Sequence, residues 1–157
     1  MSTPDYKLLN SQVHALLADE TDALASASNF VALLYNALED VNWLGMYVLR
    51  NEELVLGPFQ GKPACVHLQL GSGVCGTAAA TRETQRVADV HQFDGHIACD
   101  ADSRSEIVVP LICNGELIGV LDIDSPTPDR FSELDQEGIE RLCLSFCELQ
   151  AERGQFI

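Results

Sequence analysis

Basic residues are scarce in this chain. Nine lysines and arginines stand against 24 aspartates and glutamates, a formal charge of −15 over 157 residues. So acidic a surface argues against nucleic acid and anionic membrane surfaces as partners, since both attract basic patches. No run approaches the roughly 18 consecutive apolar residues of a spanning helix. The chain does not open on a basic segment followed by an apolar run, so no secretory leader is expected. Internal repeats and low-complexity tracts are lacking as well. Apolar residues nevertheless make up 46%, enough for one folded domain with a sizeable core, and the length is short for two. What these absences leave is a cytoplasmic globular protein.

Cysteine is not lacking. There are six, and in a reducing cytosol they point to catalytic, redox or metal roles or to plain buried thiols rather than structural bridges. Cys65, Cys75 and Cys99 fall on or beside loops and turns. Cys113, Cys143 and Cys147 fall in a hairpin or an apolar helix, where packing is the simpler role. Cys143 and Cys147 are one helical turn apart, but no third metal ligand lies near them in sequence.

The chain is organised around the stretch from Asp89 to Glu106, which holds two histidines, Cys99 and five acids with almost no apolar periodicity. It reads as a loop of about fifteen residues or more, and loops of that length inside a domain are usually functional. Ile107–Ile112 and Glu116–Ile123 follow as apolar runs joined through Asn114-Gly115, the strongest short-range hairpin signal. The second run ends in Asp122-Ile123-Asp124, two carboxylates at period-two spacing and so on one face.

Elsewhere the pattern is plainer. Helices are predicted over Tyr6–Leu17 and Thr21–Leu38, and strands over Val41–Leu49 and Glu53–Phe59, the second broken by Gly57-Pro58. Cys65–Leu70 alternates as a half-buried strand with Val66, Leu68 and Leu70 on one side and Cys65 on the polar side. Gly71-Ser-Gly-Val-Cys-Gly76 is formally a G-x-G-x-x-G. A dinucleotide site would need a buried parallel strand before it and an acid closing the next strand, so a tight turn feeding a helix over Thr77–Thr84 is the better reading. Cys75 would then sit near a helix start, where exposed N–H groups favour a thiolate. A short strand over Gln85–Asp89 leads into the long loop. Ser132 caps a last helix with acids in its first turn and an apolar stripe of Leu134, Ile139, Leu142, Phe146 and Leu149. Segregated helices and hairpin-connected strands give an α+β domain with an antiparallel sheet. Its N-terminal helices span about 5–39, its sheet and loops about 41–125, and its C-terminal helix about 132–153.

Several of these segments together resemble the GAF-domain free methionine-(R)-sulfoxide reductases: Asn42-Trp43-Leu-Gly-Met-Tyr47, Gly71-x-Gly-Val-Cys75-Gly-Thr77, Asp89-Val-His91, Phe93-Asp-Gly-His-Ile-Ala-Cys99-Asp100, Ser105-Glu106-Ile-Val and Gly119-Val-Leu-Asp122-Ile-Asp124-Ser125. The resemblance implies a single GAF-like domain, a central antiparallel sheet with helices packed on one side and binding loops on the other. It implies reduction of the R epimer of free methionine sulfoxide, with no resident cofactor and no metal, by thiols that thioredoxin regenerates. Cys99 would be the nucleophile, Cys65 the main resolving thiol and Cys75 its auxiliary. Trp43, Tyr47, Glu106, Asp122 and Asp124 would line the substrate pocket, and a homodimer is implied as the assembly. Cys113, Cys143 and Cys147 match none of the family's motifs.

The residue types suit that chemistry. A thiolate attacks a sulfoxide sulfur only if the oxygen is protonated, which calls for a carboxyl group held neutral near pH 7. Clustered acids raise one another's pKa and titrate as a group. The remaining carboxylates can hold an ammonium, and Trp43 and Tyr47 offer ring faces to the S-methyl group. Two other classes stay open at this level: a GAF-type small-molecule sensor without catalysis, and a thiol/imidazole metal site from Cys65, Cys75, His96 and Cys99, whose spacings match no standard zinc pattern.

Overall fold

Asp5 starts the fold: its side chain accepts a hydrogen bond from the Leu8 N–H at 3.0 Å and caps helix α1, Tyr6–Leu17. Asp22 does the same for α2, Ala23–Ala37, through the Ala25 N–H. A computed structural model describes residues 3–96 and 101–151. After the helices come β1 (Trp43–Arg50), β2 (Glu53–Gln60), β3 (His67–Gln69), α3 (Gly73–Thr81), β4 (Gln85–Val87), β5 (Ser105–Cys113), β6 (Glu116–Ser125) and α4 (Glu133–Ala151). The strands form one sheet in the order β3-β2-β1-β6-β5-β4, antiparallel at every pairing. Among the described residues no helix is long and apolar enough to cross a membrane.

The β5–β6 hairpin turns through Asn114 at φ 54° and Gly115 at φ 78°, the pair of left-handed residues that an Asn-Gly turn supplies at low cost. At α4 the Ser132 hydroxyl accepts from the Asp135 N–H while the Asp135 carboxylate accepts from the Ser132 N–H, a reciprocal cap. Asp135 also accepts from Tyr6 and from Arg130, and this buried knot ties α1 and the β6–α4 connection to the start of α4.

The sheet separates two cores. On one face Leu9, Phe30, Leu34, Leu44, Met46, Leu121, Leu142 and Phe146 bury α1, α2 and α4 against the strands. On the other, Trp43, Tyr47, Leu54, Leu68, Val74, Val108 and Val120 gather under α3 and the connecting loops. Three helices on one side and loops on the other is the expected architecture, with short α3 added to the loop side.

Several local expectations change. The third strand is only His67–Gln69, so Cys65 lies in the segment before it. Leu68 alone of its expected apolar side is buried, while Val66 and Leu70 are exposed, because β3 is an edge strand with little to cover it. β2 runs through Gly57-Pro58, and the irregularity appears instead as a register shift in its pairing with β1. The long loop is shorter than its sequence suggests: Val90–Gln92 forms a 3-10 turn capped by Asp89, and β5 begins at Ser105. Helix α3 starts four residues earlier than periodicity indicates, at Gly73. Leu134 is exposed rather than part of the α4 stripe.

One helix position carries a sharp expectation. Gly→Ala inside a helix ordinarily gains about 1 kcal/mol, but a Cβ on Gly138 would lie 2.2 Å from Cγ of the Tyr6 ring, which Asp135 holds in place. Overpacking of that kind costs about 1–3 kcal/mol. Gly138→Ala should therefore lower the melting temperature by a few degrees, and an unchanged or higher value in a thermal melt would show that Tyr6 moves aside freely.

Candidate active site

Cross-strand register builds the floor of the site. Trp43 on β1 pairs with Asp124 on β6, and Asp124 pairs with Glu106 on β5, so these three residues form one row across three strands. Asp122 lies two residues back along β6, opposite Gly45 and Val108. Period-two alternation turns Tyr47, Asp122, Asp124 and Glu106 to the loop face with Trp43. All five line one cavity, together with Cys75, His96, Ser103 and the segment around Ala64.

The polar ends of the two aromatics are already engaged. Trp43 Nε1 donates to the Lys62 carbonyl at 3.0 Å, and the Tyr47 hydroxyl donates to the Cys65 carbonyl at 2.9 Å. Their rings stack with centroids 5.9 Å apart, and Phe59 stacks on the far side of Trp43 at 5.4 Å. Only a glycine fits at position 45: a Cβ there would lie 2.4 Å from Phe59 Cβ and 2.6 Å from the Trp43 ring. The aromatics thus present ring surface to the cavity while their polar ends hold the 62–65 segment beside it.

Burial dominates the electrostatics. Glu106 and Asp122 are only 7% and 6% exposed. Burial pushes the Glu106 carboxyl well above its ordinary value, the charges of Asp122 and Asp124 add to this, and hydrogen bonding to both acts the same way. Asp122 is also pushed up by burial, against hydrogen bonding to Glu106 and Cys75 that favours its ionised form. Its Oδ1 is fully buried, so the neighbouring Glu106 carboxyl and Cys75 thiol are the donors at hand for this carboxylate. His96 is pushed down by burial and by His91, against the pull of Asp122, and is neutral at pH 7.

Cys75 departs from its expectation. It lies on the first turn of α3, but it is buried, and burial followed by the charges of Asp122, Glu106 and Asp124 raises its thiol well above the ordinary value. The few N–H groups of a helix start cannot outweigh three carboxyl groups and the loss of water, so Cys75 is a protonated thiol. Cys65 is disulfide-bonded, whereas Cys75, Cys113, Cys143 and Cys147 are free. Cys99, the expected nucleophile, lies outside the described residues. The Cys65, Cys75, His96 and Cys99 metal constellation finds no support, since a disulfide sulfur is a poor ligand. Among the described residues, Cys75, Glu106 and Asp122 are the trio with donor atoms within 4.8 Å of one another. With Glu106 and Cys75 held neutral, this trio is built to share protons.

Sequence reasoning missed Phe59, Gly45 and Ser103. Ser103 is buried at the cavity wall and accepts from Asn42 Nδ2 at 3.3 Å. Phe59 and Gly45 are partners in the β1–β2 register, so an aromatic opposite a glycine was the available signal.

Comparison with known proteins agrees with this geometry. A GAF domain matches residues 12–146. The free methionine-R-sulfoxide reductase of Escherichia coli strain K12 is 55% identical over 140 residues, covering 89% of this chain and 85% of that protein. The structure of fRMsr of Staphylococcus aureus in its reduced form is 52% identical with a TM-score of 0.90, covering 95% of this chain and 99% of that one. The free methionine-R-sulfoxide reductase of Neisseria meningitidis, solved in complex with its substrate, is 40% identical with a TM-score of 0.90, covering 98% and 94%. A domain match over most of the chain and relatives at this identity and coverage assign it to the GAF-domain free methionine-R-sulfoxide reductases.

Proposed function

We propose that this protein reduces free L-methionine (R)-S-oxide to L-methionine through a cysteine sulfenic acid and an intramolecular disulfide that thioredoxin recycles. The observation that carries the reading is the buried Glu106–Asp122 pair, at least one proton of which is retained near neutral pH, beneath the faces of Trp43 and Tyr47. The S-methyl group lies against the rings, and the substrate ammonium meets the ionised part of the Glu106, Asp122 and Asp124 cluster.

The Cys99 thiol attacks the sulfoxide sulfur while the carboxyl cluster delivers a proton to the oxygen. In the resulting S–S adduct the hydroxyl passes from the substrate sulfur to the Cys99 sulfur. The substrate S–O bond and the new S–S bond break, a Cys99 S–O bond forms, and methionine leaves with Cys99 as a sulfenic acid. The Cys65 thiol then attacks the Cys99 sulfur, water departs and a disulfide forms. The bonded state of Cys65 beside four free thiols is in keeping with that end state. Cys75, protonated and in contact with Asp122, serves as an auxiliary that exchanges with Cys65. The thiols carry the electrons, so the cycle uses no resident cofactor, and thioredoxin is the external dithiol in the cytoplasm. Exposed leucines on α1, α2 and α4, among them Leu8, Leu24 and Leu134, offer apolar surface for the homodimer that belongs to the same proposal.

The test is NADPH consumption with thioredoxin, thioredoxin reductase and each epimer of methionine sulfoxide, free and with its amine acetylated and its carboxyl amidated. Turnover is expected with the free R epimer alone. The blocked substrate should lose about 10²-fold or more in kcat/KM, since its amide carries no charge for buried acids to pair with. Equal rates for the two epimers, or for free and blocked substrate, would overturn the assignment.

A further inference from the structure

The three cysteines that the proposed cycle leaves unused are gathered in one place. Cys113 ends β5 at the hairpin turn and is half-buried, while Cys143 and Cys147 lie one turn apart on α4 and are buried. All three belong to the helix-side core, on the opposite face of the sheet from Glu106 and Val108. Cys143 and Cys147 also line a groove with Arg82, Ile112 and Glu140. Arg82 donates to the Gly115 carbonyl at 3.0 Å, so a guanidinium is fixed against the same hairpin turn that Cys113 adjoins. Their donor atoms are not close enough to one another to form a metal trio among the described residues, which leaves pairwise thiol chemistry.

We propose that Cys113 and Cys147 are a second, peroxide-responsive dithiol, with Cys113 as the attacking thiol and Cys147 as its resolving partner. The two side chains are hydrogen-bonded to each other, which holds the Cys113 thiol below its ordinary value and the Cys147 thiol above it, and Cys143 is raised by burial. Cys113 is half-buried at the strand end while Cys147 is buried on α4, so Cys113 is the sulfur a solute reaches and Cys147 the partner behind it. The Cys113 thiolate attacks the outer oxygen of a hydroperoxide. An S–O bond forms, the O–O bond breaks, and the alcohol or water leaves with a proton from solvent. Cys147 sulfur then attacks Cys113 sulfur, the S–O bond breaks, and hydroxide departs with the Cys147 proton as water. Two thiols supply the two electrons that the hydroperoxide takes up. The product ties the hairpin end of β5 to α4, and an external dithiol reverses it.

To test this, the full-length Cys65→Ser/Cys75→Ser/Cys99→Ser variant, which lacks the thiols of the proposed cycle, is treated with hydrogen peroxide. It is then alkylated, digested without reductant and mapped by mass spectrometry. A Cys113–Cys147 bridge is expected there and in the wild type, and it should persist when Cys143→Ser is added. With Cys147→Ser added instead, a cyclic diketone should trap a sulfenic acid at Cys113. Alkylation of the untreated wild type at neutral pH needs no substitution and should label Cys113 about tenfold or more faster than Cys143. Failure of the bridge to form, bridging to Cys143 in place of Cys147, or labelling of Cys113 no faster than Cys143 would each overturn the proposal. Because the catalytic thiols are absent from the tested variant, its outcome is separate from that of the reductase assay.

Discussion

Cys99→Ser is expected to lose thioredoxin-coupled turnover down to background, at least about 10⁴-fold in kcat, as removal of an attacking nucleophile does elsewhere. A serine hydroxyl at neutral pH is far weaker toward sulfur, and it cannot form the sulfenic acid on which the second half of the cycle depends. The melting temperature should stay within a degree or two of wild type. The same experiment separates the roles proposed for Cys65 and Cys75. Cys65→Ser should reduce one equivalent of substrate and then stall. Cys75→Ser should slow recycling mildly, because its buried, protonated thiol is a poor nucleophile until it exchanges. After one equivalent of substrate, peptide mapping without reductant should find Cys65 bridged to Cys99 in the wild type. Substantial turnover in Cys99→Ser would remove Cys99 from its role. A dominant Cys75–Cys99 bridge with normal recycling in Cys65→Ser would exchange the parts given to Cys65 and Cys75.

Glu106→Gln should cut kcat/KM by about 10³-fold, within the range that a positioned general acid supplies. The amide keeps the shape of the side chain but has no acidic proton to deliver. Stability should move the other way. Glu106 has a folded-state pKa raised above its ordinary value of 4.5, so its contribution is intact below that value and is lost as pH rises toward the folded-state value. The glutamine variant has no such loss. Its advantage in melting temperature should be absent at pH 4 and grow between about pH 5 and pH 8. Wild-type activity should decline on the alkaline side as the cluster gives up its last proton. Asp122→Asn provides the comparison, because the coupled acids titrate as a unit. A Glu106→Gln variant of wild-type activity, or one less stable than wild type at pH 8, would mean that Glu106 is ionised and does not donate.

What could be read in the chain depended on how local each signal was. The Asn114-Gly115 turn, the Ser132 cap and the shared face of Asp122 and Asp124 were visible because each is settled within a few residues. Glu106 entered only through family resemblance, since its place beside Asp124 is a matter of strand register that no spacing in the chain encodes. Cys75 was misjudged for the same reason: the helix start is local, but the carboxyl groups that keep its thiol protonated come from β5 and β6. The aromatic wall formed by Phe59, Gly45 and Trp43 was hidden by its cross-strand origin. Leu134 and Val66 show the converse, apolar residues whose periodicity suggests burial where the fold supplies nothing to bury them against.

The row Trp43–Asp124–Glu106 also bears on how the molecule folds. Its members come from the first and last thirds of the chain, so the row exists only once β6 has been inserted between β1 and β5. Closing so large a loop costs entropy before any contact repays it, which makes such pairing a late and slow event. Trp43 is the sole tryptophan and sits at one end of that row, stacked between Tyr47 and Phe59. Its fluorescence in a refolding experiment is therefore a clock for completion of that three-strand row, whereas far-ultraviolet circular dichroism, dominated by α1, α2 and α4, follows the helices on the other face.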